Sequence, residues 1–504
     1  MDLPMKPLSR LLLLSCLLSS GGAALAAEPL SLWAAMDRAA QYNPAIKSQQ
    51  IEVSRHVLEQ DIARSQHLPK LDLNAGYTRY AYPTFVTPIR QAGIFPPMDT
   101  NVSSLALALS LPLYSGGKLV AGEALAAHNQ EASIQALRAS GQDLLFNVVA
   151  TYTKALHFRE LGKALDARLK ALQQEEMDIG LRIKEGRAAR LELIRLQTQL
   201  SQARYERISV IQGEKNTLSL LASLLGGGGS ALTLAELGAT APILPASLEQ
   251  ALARARQQHP DLLRLDAIGR AAQQKTSIAR GDRLPQINLL AKAQESAGGD
   301  WKGHDDWQIG VQLSLPLFDG DIRKHRVDQA GLEERQSALQ QEDARNRIDS
   351  EVEQAFGALA ESRARLEAAN QGRTEAGEAL RIETLRYHSG ENTITDLLGA
   401  ESSLWSATAS RLQAGYDITV SQAQLLRATG ELAPDSFKPP AKDTPPGATP
   451  SSSAIEPRSL STYLAWHRCG MRWTGAPNGQ DAPVDLPAQQ SCVARHSIQQ
   501  GASL

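Results

Sequence analysis

The stretch Leu105-Ala106-Leu107-Ala108-Leu109-Ser110-Leu111-Pro112-Leu113-Tyr114 decides how the chain is read. Leucine holds every odd position from 105 to 113, and the even positions carry only alanine, serine or proline. Strict period-two alternation over about ten residues marks a strand with one apolar face and one small or polar face. About 9–11 residues is also the length of a tilted strand that crosses a membrane.

Three further segments alternate in the same way. In Leu71-Asp72-Leu73-Asn74-Ala75-Gly76-Tyr77-Thr78 the residue class switches at each step. Ile287, Leu289, Ala291 and Ala293 alternate with Asn288 and Lys292, with Leu290 breaking the pattern. Trp307, Ile309, Val311, Leu313, Leu315 and Leu317 alternate with Gln308, Gly310, Gln312 and Ser314. The predicted strands span about 70–80, 102–113, 286–295 and 306–317. A half-buried sheet in a soluble domain would alternate alike, but no covering layer lies close by in sequence. Four strands cannot close a barrel, and an open sheet in lipid leaves backbone groups unpaired at several kcal/mol each. Membrane-crossing strands therefore require a barrel shared between protomers.

The four strands belong to two copies of one unit. Ser31-Leu32 opens a segment ending Tyr42-Asn43-Pro44, and Ser247-Leu248 opens one ending Gln258-His259-Pro260. Leu68-Pro69 recurs as Leu284-Pro285, at the same displacement of 216. Ser110-Leu111-Pro112-Leu113-Tyr114 recurs as Ser314-Leu315-Pro316-Leu317-Phe318, and Leu181-Arg182-Ile183 with Gly186 as Leu385-Arg386-Tyr387 with Gly390, both displaced by 204. The first copy thus carries 12 extra residues between these matches, expected in a loop. Each copy predicts a helix of about 35 residues, two strands, a very long helix, a glycine turn and another helix of about 35 residues. The first helix is expected over Leu32 to Leu68. Gly117 to Glu185 holds no proline and would extend about 100 Å at 1.5 Å per residue, as would its counterpart Ile322 to His388. Leu137, Leu144, Val148 and Ala155 fall at coiled-coil spacing, as do Val352, Phe356, Leu359 and Leu366. The Glu/Arg-rich remainder reads as solvated faces of a tube wall.

The resulting organisation is a signal peptide (1–26), a first repeat (27–225), a linker (226–246, with Gly226 to Ser230 read as flexible), a second repeat (247–432) and a Pro-rich C-terminal extension (433–504) expected to be partly disordered. Lys6 and Arg10, the apolar run Leu11 to Leu18, and Ala24-Leu25-Ala26 are the signal-peptide features. Cys16 follows Leu13-Leu14-Ser15, a loose lipobox, so lipidation stays open. Cys469 and Cys492 lie in the extension, and an exported pair can bridge or stay free. Only 7 Phe stand against 37 Gly in 504 residues, which disfavours a globular enzyme core. A net charge of −2 gives no reason to propose nucleic acid. His-Glu-x-x-His, Gly-x-Ser-x-Gly and P-loop signatures are missing, so no catalysis, metal or cofactor is expected.

The pattern resembles the TolC-type outer-membrane efflux protein family over roughly Leu30 to Leu432. The resemblance rests on the duplicated order, the Ser-Leu-Pro-Leu-aromatic strand exits, and the segment Tyr387-His388-Ser389-Gly390-Glu391-Asn392-Thr393-Ile394-Thr395-Asp396-Leu397-Leu398. It implies a mainly α protein with a transmembrane β portion, in which a homotrimer shares a 12-stranded barrel in outer-membrane lipid above a long helical periplasmic tunnel. The implied partners are a periplasmic adaptor and an inner-membrane pump of the RND or ABC type. The implied role is export of small molecules or proteins, drug efflux being favoured over a type I secretion outlet. The loops Arg79 to Thr100 and Ser296 to Asp305 would face outward, and the turns at Gly186 and Gly390 the inner membrane.

Family gates use polar links and acidic rings at that inner end. Asp396 matches the outer acidic position, where three like charges would bind cations and raise one another's pKa. Tyr387 matches the tip tyrosine, and a latch between Tyr387 and Glu192 is expected. Two positions depart from the family: Gly399 stands where a second acid is expected and Asn392 where a base is. Glu192 could instead pair on its own helix with Arg187, Arg190 or Arg195. A periplasmic coiled coil outside any membrane would share these helices but would not need four alternating strands.

Overall fold

The computed structural model describes residues 29–227, 232–238 and 242–438. The signal segment with Cys16, most of the C-terminal extension with Cys469 and Cys492, and Gly228 to Ser230 lie outside these residues.

One order of elements occurs twice. Helices α1 (Leu32–Tyr42) and α2 (Pro44–Ser65), strands β1 (Lys70–Phe85) and β2 (Met98–Tyr114), and helices α3 (Lys118–Lys184) and α4 (Arg190–Leu224) make the first set. The second is α5 (Leu248–Gln258), α6 (Pro260–Gly281), β3 (Gln286–Ala297), β4 (Gly303–Ser314), α7 (Ile322–Ser389) and α8 (Ile394–Ala428). Helices α3 and α7 have 67 and 68 residues.

The single opening helix expected over Leu32 to Leu68 is two helices. Asn43 is extended (φ −63°, ψ 125°) and caps the next helix. The cause is Pro44, whose ring pushes the preceding residue out of the helical region. His259 before Pro260 repeats the break with φ −63° and ψ 123°. The strands also run differently. β1 and β2 extend to Phe85 and back to Met98, so the loop between them is only 86–97. β4 starts earlier than expected and ends at Ser314, leaving Leu315 and Leu317 outside it, because its partner β3 begins at Gln286.

The sheet is antiparallel in the order β1-β2-β3-β4. Its register puts Leu73, Leu107, Ala293 and Trp307 in one row, and Leu71, Leu109, Ala291 and Ile309 in the next, all on one face. The other face carries Asp72, Ala108, Lys292 and Gln308, then Asn74, Ala106, Gln294 and Asp306. Leu71, Leu73, Ile309, Val311 and Leu313 are exposed, whereas Ala106 and Ser296 on the second face are buried. β1 and β4 are edges within the chain. Below the sheet α2 packs on α3, α3 on α6 and α6 on α7. At the opposite end the neighbours are α3 with α4, α3 with α8, and α7 with α8.

Three clusters hold the helices together. One joins α1 to the middle of α3 and the ends of α4 and α8 through Met36, Val148, Tyr152, Leu221 and Leu426. The Tyr152 hydroxyl lies 2.7 Å from the carbonyl oxygens of both Leu30 and Ala235, and burial pushes its pKa up to about 12. A second cluster gathers α5, α6, α7 and α8, and the third lies at the glycine turns.

Part of the linker and the first residues of the C-terminal extension are docked on the helices. Leu30 and the Thr233–Ala235 stretch exchange backbone hydrogen bonds of 2.8 and 2.9 Å, and Arg159 donates to the Leu234 carbonyl at 2.7 Å. At the start of the C-terminal extension Phe437 is buried, and Trp33 Nε1 donates to Asp435.

Gly226 is likewise no free linker residue. It follows α4 with φ +91°, and a Cβ there would lie 2.6 Å from the Tyr42 carbonyl oxygen. Gly430 follows α8 with φ +76°, and its Cβ would lie 2.8 Å from His259 Cα. Each set therefore ends on a left-handed glycine pressed against its own helix break. Gly226→Ala and Gly430→Ala are expected to lower stability by at least about 1 kcal/mol, read as a lower apparent unfolding temperature. Gly331→Ala, in open space on α7, should be neutral or slightly stabilising.

Candidate functional site at the helical tips

The ends of α3 and α4 meet the ends of α7 and α8 through both apolar and polar contacts. Ile179, Leu196 and Leu200 are buried with Tyr387, Ile394, Leu397 and Leu398. The two turns close through left-handed glycines, Gly186 (φ +73°) and Gly390 (φ +82°). Positive φ is available to glycine without steric cost.

Tyr387 and Glu192 are brought together. The Tyr387 hydroxyl donates to Glu192 Oε2 at 2.8 Å, across 195 residues of sequence. Burial, and then this bond, push the phenol well above its usual range. Glu192 sits in the first turn of α4, and its Oε1 accepts from the Ala189 amide at 3.1 Å. It does not pair with the neighbouring arginines, the alternative left open by the sequence. Arg187 bonds Glu185, and Arg195 reaches Thr395 Oγ1 on α8.

Asp396 is exposed in the first turn of α8. Its Oδ2 accepts from the Thr393 amide at 3.1 Å and from the Thr393 hydroxyl at 2.7 Å. These bonds hold its carboxyl below the ordinary range. The upward shift expected from a ring of like charges is thus opposed within each chain by an N-terminal cap. Asn392, at the position where the family has a base, bonds Glu383 on α7.

Several participants were not anticipated. Arg182 of α3 donates to His388 Nδ1 of α7, and its guanidinium lies 5.2 Å from the Tyr387 ring centroid. Glu175 stands nearby with a buried Oε1 that has no hydrogen-bond partner. Burial pushes its carboxyl pKa up, against His388 and Arg182, which pull it down.

Farther along α3, Arg168 is almost fully buried and contacts both sets of helices. It bonds Glu401 of α8 at 2.7 and 3.1 Å and Glu206 of α4 at 3.2 Å. Its guanidinium also faces the Trp405 ring at 5.3 Å. One signal for it was legible: Arg168 interrupts the apolar stripe Leu165, Leu169, Leu172. Removing one partner from such a buried group typically costs about 3–5 kcal/mol.

The profile of outer membrane efflux proteins matches residues 35–227 and 251–431. The chain belongs to this outer membrane efflux protein family. It is 27% identical over 412 residues to Protein CyaE of Bordetella pertussis, covering 80% of this chain and 85% of that one. It is 24% identical over 426 residues to Outer membrane efflux protein BepC of Brucella suis, covering 84% and 90%. The crystal structure of the outer membrane protein VceC from Vibrio cholerae superposes with a TM-score of 0.69 at 19% identity, covering 79% of this chain and 96% of that one. The protein is an outer-membrane channel that extends into the periplasm and serves as the outlet of a tripartite export system.

Within that channel the Glu175 carboxyl has a defined effect on stability. Its folded-state pKa lies above the ordinary value, so the folded form binds more protons than the unfolded one. The ionised group therefore lowers stability near neutral pH, and this penalty fades as pH falls through the raised pKa. Glu175→Gln should raise the apparent unfolding temperature near pH 7, with a gain that shrinks on acidification.

Proposed function

We propose that three copies of the chain close a 12-stranded barrel in outer-membrane lipid and a helical tunnel below it. The open sheet supports this reading most directly. Its edges β1 and β4 carry unpaired backbone groups, while one face exposes Leu71, Leu73, Leu107, Ile309, Val311 and Leu313. Pairing β4 with β1 of the next copy satisfies both edges, and three such junctions leave none free. The helices supply matching flanks. α2 runs into β1 and exposes Ile51, Leu58 and Ile62, and α7 follows β4 and exposes Leu332 and Leu339. In the closed ring the Asp72 and Lys292 face lines the lumen.

The periplasmic partners are an adaptor and an inner-membrane pump, which engage the helical end. The gate lies there too. Tyr387–Glu192, Arg182–His388 and Arg195–Thr395 tie the α7/α8 hairpin to the α3/α4 hairpin. Net hydrogen-bond contributions of about 1 kcal/mol each put the closed state within reach of a partner's binding energy. Asp396, kept ionised by Thr393, supplies one carboxylate per chain to a cation-binding ring.

In planar bilayers, Tyr387→Phe combined with Arg195→Ala should raise single-channel conductance several-fold. Asp396→Asn should leave the open current near wild type and weaken block by divalent cations. A pore indifferent to all three substitutions would remove these residues from the gate.

The cargo is small molecules. The family description and the name of the Brucella relative both speak of efflux. Deleting the gene should lower resistance to several unrelated toxic compounds while leaving the set of secreted proteins unchanged. Loss of one exported protein with unaltered resistance would make the channel a protein-secretion outlet.

A further inference from the structure

The two helix breaks are built alike but capped by different chemistry. Asn43 Oδ1 accepts from the Ala45 amide at 2.8 Å, and Asn43 Nδ2 donates to the Leu224 carbonyl at 2.9 Å. Neither group titrates. At the second break the His259 ring does the capping, with Nδ1 accepting from the Asp261 amide at 3.2 Å. A backbone N–H can only donate, so Nδ1 is the unprotonated nitrogen and the ring proton sits on Nε2. Both breaks are buried, with Asn43 and His259 each 7% exposed.

A charged imidazole has no place in this site. Protonation would turn Nδ1 into a donor facing another donor, at the positive end of α6. The cavity of about 300 Å³ beside it is lined by charged groups from four helices: Asp143 of α3, Asp261 of α6, Arg347 and Glu351 of α7, and Arg427 of α8. Each carboxylate already serves an arginine. Asp143 pairs with Arg427 at 2.6 Å, Asp261 with Arg264 at 3.2 Å and Glu351 with Arg347 at 3.7 Å.

We propose that His259 is an acid-released helix cap, which loosens the root of α6 when the surroundings acidify while the Asn43 root of α2 stays fixed. Gly430, pressed onto His259, carries the change to the end of α8. The two copies of the unit thereby respond unequally to one stimulus, and the tunnel wall relaxes on the α6–α8 side of each chain. Burial lowers the His259 pKa, Asp261 opposes this, and Arg427 and Arg347 lower it further. With the folded pKa depressed, the unfolded form binds more protons. The cap's contribution is therefore full above the ordinary histidine range and is lost as pH falls below it.

Hydrogen–deuterium exchange of the intact detergent-purified protein tests this, at about pH 7.5 and about pH 5.5 with correction for intrinsic exchange. Protection of the Asp261–Leu263 amides should fall about fivefold on acidification, the size of a lost N-cap. The Ala45–Lys47 amides should not change. His259→Asn, which installs the cap of the other copy, should hold α6 at both pH values. Equal protection of wild-type α6 at both pH values would overturn the proposal, as would the same acid loss in His259→Asn. If that variant does not fold, comparing the two roots within the wild-type molecule decides alone.

Discussion

Every strand hydrogen bond that one chain cannot make for itself must be made by another. This constraint shapes the rest of the molecule. β2 and β3 are paired on both sides, whereas β1 and β4 each have one open row of donors and acceptors. In hydrocarbon such rows are intolerable, and the assembly proposed above closes them between copies. α2 leads into β1 and α7 leads out of β4, so the elements at the open flanks of the sheet also lie at the open flanks of the helical layer.

Duplication builds two nearly equal sets of helices, and the two sets differ at a few buried positions. The long helices α3 and α7 are nearly equal in length, yet the buried charge at Arg168 belongs to α3 alone, since the position 204 residues on is Gly372. Arg168 holds α4 and α8 at once, one from each set. It thereby ties the two sets together away from the tip contacts at Tyr387, His388 and Thr395. Arg168 is almost fully buried, whereas the Arg182–His388 and Arg195–Thr395 bonds at the tips are exposed.

The strands were legible because their signal is local: Leu105 to Leu113 and Trp307 to Leu313 state their faces two residues at a time. The long helices were legible for lack of proline. The breaks at Asn43 and His259 were missed although Pro44 and Pro260 announced them, because an apolar pattern that spans a break reads as one helix. Gly226 looked like linker because its partner, Tyr42, lies far away in sequence. At the tips, Tyr387 and Glu192 could be paired from the family pattern and the repeat. Arg182–His388 and Arg168–Glu401 could not, since nothing in either segment names a partner more than 200 residues distant. The hydrogen bonds from Thr393 to Asp396 were not foreseen either, since the family pattern speaks only of charges between copies.

The row register of the sheet also bears on how such a gene can change. Leu73, Leu107, Ala293 and Trp307 share one face, and their immediate neighbours share the other. A single-codon insertion within a strand would turn every later side chain of that strand to the opposite face, exchanging the Lys292 face with the leucine face. A two-codon insertion would restore the faces. Length variation among descendants of this sequence should therefore accumulate in pairs within strands and freely in the 86–97 loop, which is longer than its counterpart 298–302.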